Sequence, residues 1–134
     1  MRNIGDFDRK VLIAETAKHL TLEAESHLRT ACEKYKSVLF VTHVPSFPKA
    51  TWHEGSSSSA DWLPWMCNVT MGDMLIEVAY EYPNTSLLVL CGHTHSPGEV
   101  QMAPNLRVLT GKSEYGSPQI SKILDLSAEV PPIR

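Results

Sequence analysis

SLLVLCGHTHSPG, residues 86–98, begins as an unbroken apolar run and ends in two histidines set among glycine and proline. Six strand-forming residues without alternation read as a β-strand buried on both faces, the kind found in parallel sheets. A second run of the same character, Ser37-Val38-Leu39-Phe40-Val41-Thr42, is followed at once by His43 and then Pro45. Two such strands separated by a helical segment predict an α/β fold of layered sheet and helices. Its first two strands are parallel and joined by a right-handed connection.

Working outward, residues 7–36 read as helix, interrupted near Leu20-Thr21. Thr21 is the expected N-cap of the second piece, with Leu28, Ala31, Cys32 and Tyr35 on its apolar stripe. Gly72-Asp73 opens another helix through Tyr82, with Met74, Leu75, Val78, Ala79 and Tyr82 on one side and Pro83-Asn84 as its stop. Beyond the double histidine, Glu99–Met102, Leu106–Thr110 and Gln119–Leu126 read as short antiparallel strands. Turns at Pro104-Asn105 and Gly116-Ser117-Pro118 join them. From Pro45 to Met71 there is no clean period, yet this stretch holds all three tryptophans, three of the nine prolines and the run Ser56 to Ser59, read as a flexible tip. So long an irregular loop in a small domain points to function. No repeat and no second domain is evident, so residues 1–134 are read as a single domain or part of one.

The composition is that of a globular protein, with 43% hydrophobic and 20% charged residues in a chain of 134. A net charge of -3 gives no basic footprint for nucleic acid or an anionic membrane surface. The first twenty residues lack an apolar stretch of signal-peptide length, and no run is long enough to span a bilayer, which makes a cytoplasmic protein the expectation. Cys32, Cys67 and Cys91 have no C-x-x-C spacing and are read as reduced thiols.

In open α/β sheets ligands bind beyond the carboxyl ends of parallel strands, which is where His43, His93 and His95 fall. On an extended backbone residues 93 and 95 point the same way while Thr94 turns aside. Three neutral imidazoles on strand ends offer a site for Zn, Mn or Fe. The ordinary alternative is that each is a hydrogen-bonded turn residue.

VTHVPSF (41–47) and CGHTHSPG (91–98), in that order with a helix between, resemble the last two signature motifs of the calcineurin-like metallophosphoesterases. The resemblance implies the C-terminal half of that family's four-layer sandwich, from about Thr21 onward. It implies that His43 and His93 bind one metal and His95 the other. The two ions, about 3.5–4 Å apart, would share a hydroxide that attacks phosphorus in line. The family's earlier motifs, D-x-H, G-D-x-x-D and G-N-H-[DE], are absent; in Gly5-Asp6-Phe7-Asp8-Arg9 an arginine stands where the second needs its aspartate. Three neutral imidazoles offset none of the charge of two divalent ions, so one ion, or none, is the expectation for this chain acting alone.

Other candidates lie in the irregular segments. His53, in TWHEG, is a candidate acid toward the leaving group or a substrate contact, although a solvated loop histidine is the commoner role. Trp52, with Trp62 and Trp65, is a candidate substrate wall, and Tyr115 and Lys112, in TGKSEYG, are candidates to reach a phosphate. Cys91 is either a sulfur ligand or, the preferred reading, a buried thiol. His19 and His27 read as surface residues. The expected function is a metal-dependent phosphoesterase acting on a small phosphorylated substrate, completed by a homo-oligomer or a partner chain that supplies the missing half. The alternative is a single-metal or metal-free α/β module that acts through assembly.

Overall fold

The N-terminal helical stretch forms one unbroken helix, α1 (Asp6–Lys34), in a computed structural model that describes residues 5–120 and 122–124. The expected break at Leu20-Thr21 does not occur. Thr21 Oγ1 donates to the Ala17 carbonyl one turn back at 2.7 Å, so the hydroxyl is satisfied inside the helix instead of capping a new one. The stripe of Leu28 and Cys32 is buried as expected, whereas Tyr35 lies past the helix end and is 63% exposed. His19 and His27 are exposed on α1.

After α1 come β1 (Ser37–Val41), a 3-10 turn (Pro48–Ala50), the two-residue strands β2 (Trp52–His53) and β3 (Ser56–Ser57), and the single helical turn α2 (Leu63–Met66). Then follow α3 (Val69–Glu81), β4 (Ser86–Cys91), β5 (Gly98–Ala103) and β6 (Leu106–Thr110). The main sheet has the order β1-β4-β6-β5. β1, β4 and β6 are parallel, with Val41 beside Leu90 and Cys91 beside Thr110, and β5 closes the sheet antiparallel to β6. The fold is therefore α/β with a mixed, mostly parallel sheet. The strand expected over Gln119–Leu126 is absent at the described positions 119, 120 and 122–124, and its remaining positions lie outside the described residues.

Alternation along the strands sorts the two faces. Leu87, Val89 and Cys91 of β4 and Leu106 and Val108 of β6 join Leu28 and Cys32 of α1 and Met74, Leu75, Val78 and Ala79 of α3 in one core. Helices cover that face. The reading of β1 as a strand buried on both sides is corrected here: it is an edge strand, with Leu39 38% and Val41 69% exposed on the opposite face. Of the two runs, β4 is the one that lies inside the sheet, with Leu87, Leu88, Val89 and Cys91 buried.

Helix α3 starts three residues earlier than Gly72 because Asn68 caps it, its side chain accepting the Met71 N–H at 3.1 Å. At its other end Asn105, in the β5–β6 turn, donates to the carbonyls of Ala79, Tyr82 and Thr85 at 3.0, 3.0 and 2.8 Å. Gly72 lies against the Ser46 carbonyl and the Phe47 ring, with no room for a Cβ. This close approach seats the segment after β1 on α3. Arg29 of α1 pairs with Glu25 on its own helix and with Glu77 and Glu81 of α3. Among the described residues, no helix is long and apolar enough to cross a membrane.

Candidate functional site

The carboxyl ends of β1, β4 and β6 meet at one rim of the sheet. The ladder continues past the strands: Thr42 N–H donates to the Leu90 carbonyl at 2.9 Å, Gly92 N–H to His43 at 3.0 Å and Gly111 N–H to Cys91 at 2.8 Å. Those bonds hold residues 43, 92–95 and 111–115 side by side.

The loop after β4 is not extended. His93 and His95 sit at φ +68° and +64°, the left-handed region that non-glycine residues occupy only at a cost of order 1–3 kcal/mol. Thr94 N–H donates to the Gly92 carbonyl at 2.8 Å, and Ser113 N–H to the His95 carbonyl at 3.1 Å, which ties the strained loop to the segment after β6. The expected straight H-x-H geometry is thus replaced by a tight turn. Its middle residue, Thr94, is buried with no partner for Oγ1.

The turn aims the two imidazoles differently. His93 Nδ1 lies 3.2 Å from His43 Nε2, the rings edge to face with centroids 5.0 Å apart. His93 Nε2 lies 3.2 Å from the Trp65 carbonyl. A carbonyl only accepts, so Nε2 carries the proton, and in the neutral ring Nδ1 presents its lone pair toward His43. A metal-binding histidine has this arrangement, one nitrogen donating to a backbone carbonyl and the other left as ligand. Two nitrogens bound to one zinc at about 2.0–2.1 Å and the tetrahedral angle would lie about 3.4 Å apart, close to the separation found. His95 turns away, its ring 4.6 Å from that of Tyr115 and tilted by 52°. Among the described residues no three His, Cys, Asp or Glu side chains are gathered tightly enough to hold an ion as they stand. The His43–His93 pair fits one edge of a single ion's coordination shell, and His95 lies in the same loop with its ring against Tyr115.

No protein-family model, no curated protein and no solved structure matches this chain.

A cavity of about 890 Å³ opens beside the histidine loop, lined by His93 and His95, by His53 and Trp62 from the irregular segment, and by Thr94 and Tyr115. His53 and Tyr115 both line this cavity. Glu54 and Glu114 are also on its wall, and among the described residues no lysine or arginine lines it. Lys112, expected near a phosphate, pairs instead with Glu114 at 3.2 Å and is not part of the wall. Trp52, expected to touch substrate, is likewise absent from the wall and lies flat on Gly98 with its indole N–H buried and unpartnered. Cys91 belongs to the core face, its Sγ 3.4 Å from Thr110 Oγ1, and is a buried thiol instead of a ligand.

Ser56 to Ser59, read as a flexible tip, instead form one arm of the β2–β3 hairpin and part of the cavity wall. Glu54 at φ +48° and Gly55 at +83° make the tight turn between the strands. The contribution of the Trp65 carbonyl had no signal in the sequence, because any residue type supplies that acceptor.

Proposed function

We propose that this chain carries the histidine half of a metal-dependent phosphoesterase centre of the calcineurin-like kind, and that it is completed by carboxylates from a partner chain. One observation carries the reading: His43 and His93, on the ends of adjacent parallel strands, meet with nitrogens 3.2 Å apart, and a backbone carbonyl fixes which nitrogen of His93 is the donor atom. His43 and His93 would hold the ion, Mn, Zn or Fe by donor chemistry, and His95, in the same loop, would be the further imidazole available to it. The bound ion supplies Lewis acidity and a water acidic enough to act as hydroxide at neutral pH.

The chain's own groups supply the rest. With no cationic side chain among the described residues of the cavity wall, a phosphorylated substrate would meet the ion and the imidazoles. His53, on the cavity wall, would give a proton to the leaving group, and Tyr115, also on the wall, would offer its hydroxyl to a phosphoryl oxygen.

The test is metal titration by calorimetry with Mn and Zn, paired with hydrolysis of bis(p-nitrophenyl) phosphate. One ion per chain is expected, lost in His43→Ala and His93→Ala. Binding that survives both substitutions, or no binding at all, overturns the reading. The second reading is a single-metal module acting through assembly, favoured by the exposed apolar residues Leu39 and Val41 on the β1 edge. One bound ion without turnover in any complex supports it.

A further inference from the structure

We propose that Ser96 and Gly98 are positioning residues which dock the β2–β3 hairpin onto the histidine loop and thereby set His53 against the cavity. The inference rests on the proposed site for its consequence, but the docking itself stands on separate contacts.

A hairpin with two residues in each strand has little stability of its own, so its place must come from what it touches. Its root is fixed. Thr51 is fully buried and donates through Oγ1 to the Pro48 carbonyl at 2.6 Å, and the neighbouring Ala50 carbonyl accepts from Thr110 Oγ1 at 2.8 Å. Ser58 N–H closes the hairpin on the Thr51 carbonyl at 2.9 Å. Beyond that root, two contacts from the histidine loop hold the arm. Ser96 Oγ accepts the Glu54 N–H at 3.3 Å, at the turn, and the Trp52 indole lies on Gly98 so closely that a Cβ there would fall inside the ring. His53 is the residue between those two contacts, and it lines the cavity. The same short stretch, residues 93–98, therefore carries two of the proposed ligands and the seat of His53, which lines the same cavity. The indole N–H left without a partner shows that shape, not hydrogen bonding, holds Trp52 there.

Replacing Gly98 by alanine should expel the indole and swing the arm about Thr51, moving His53 off the wall while leaving residues 43, 93 and 95 in place. Ser96→Ala should loosen the turn, and Ser96→Thr, which keeps the hydroxyl, should restore it. The experiment is NMR of the histidine rings with Mn²⁺ added to the whole chain, with His19 and His27 on α1 as internal references. In the wild type, Mn²⁺ is expected to broaden the signals of His43, His93, His95 and His53. In Gly98→Ala and Ser96→Ala the broadening of His53 alone should fall sharply, and it should return in Ser96→Thr. Equal broadening of His53 in all four proteins overturns the proposal. If Mn²⁺ broadens no histidine, the metal reading fails by itself. The positioning is then decided by amide exchange of Glu54 without metal: protection lost in Gly98→Ala and Ser96→Ala supports it, and protection unchanged in both overturns it. A reconstituted activity should fall about a hundredfold in Gly98→Ala, the cost typical of an ångström-scale misplacement.

Discussion

His93 and His95 hold backbone angles that glycine would adopt more easily, and the loop keeps imidazoles there instead. A left-handed non-glycine residue costs about 1–2 kcal/mol, of which glycine's extra unfolded-state entropy cancels part, so His95→Gly should stabilise the fold by about 0.5–1 kcal/mol. Urea denaturation measures the gain; the same variant should lose metal affinity, which separates strain kept for function from strain of no use. The sequence showed that histidines follow two strands. It did not show the turn they make, because that depends on the Ser113 to His95 bond between loops far apart in the chain. The thiols give a second prediction at this scale. Burial, with Cys91 nearby as a lesser cause, pushes Cys67 up to about 12 from an ordinary 9.0. The folded state then keeps a proton that the unfolded chain gives up, so Cys67 contributes stability that is complete below pH 9 and is lost as pH rises toward 12. Denaturation midpoints measured between pH 8 and about 10.5 should fall less steeply in Cys67→Ser than in the wild type.

Elements were legible to the degree that their pattern is local. Helix α3 and strand β4 announce themselves through periodicity and an apolar run, and both formed within three residues of the reading. β1 has the same apolar character as β4, and its position at the sheet edge is set by strand order, which a single segment cannot encode. The β2–β3 hairpin was hidden for another reason: strands of two residues have no period to read, and Glu54-Gly55 is a weak version of the Asn-Gly turn signal. Glu54→Asn should therefore tighten the hairpin, seen as slower amide exchange at Ser58, whose N–H closes it. Asn105 shows how much one turn residue contributes, since its two amide N–H groups are shared among three carbonyls where α3 ends and β4 begins. Asn105→Ala leaves those acceptors short of a donor and should lower stability by about 1–3 kcal/mol in chemical denaturation.

At the scale of the molecule, large apolar side chains are left uncovered at several places among the described residues, two of them on β1 and α1. Leu39 and Val41 lie on the β1 edge, and Phe7, Leu12 and Leu22 of α1 are 79%, 54% and 60% exposed. The strand SVLFV carries no charge and no proline that would discourage pairing with another edge. Sedimentation equilibrium should show concentration-dependent association of the isolated chain, reduced when Leu39 and Val41 are both replaced by lysine; a monomer at every concentration would contradict the assembly reading. Strand order also has a consequence during synthesis. β1 has only one neighbour in the sheet, β4, and that neighbour begins at Ser86. A ribosome working at about 5–20 residues per second adds residues 42–85 in about 2–9 s, and for that interval β1 emerges with no native pairing partner yet made. Nascent-chain chaperones should bind most strongly to ribosome-held chains from which β1 has emerged and β4 has not, and release should follow once Leu90 has emerged beside Val41.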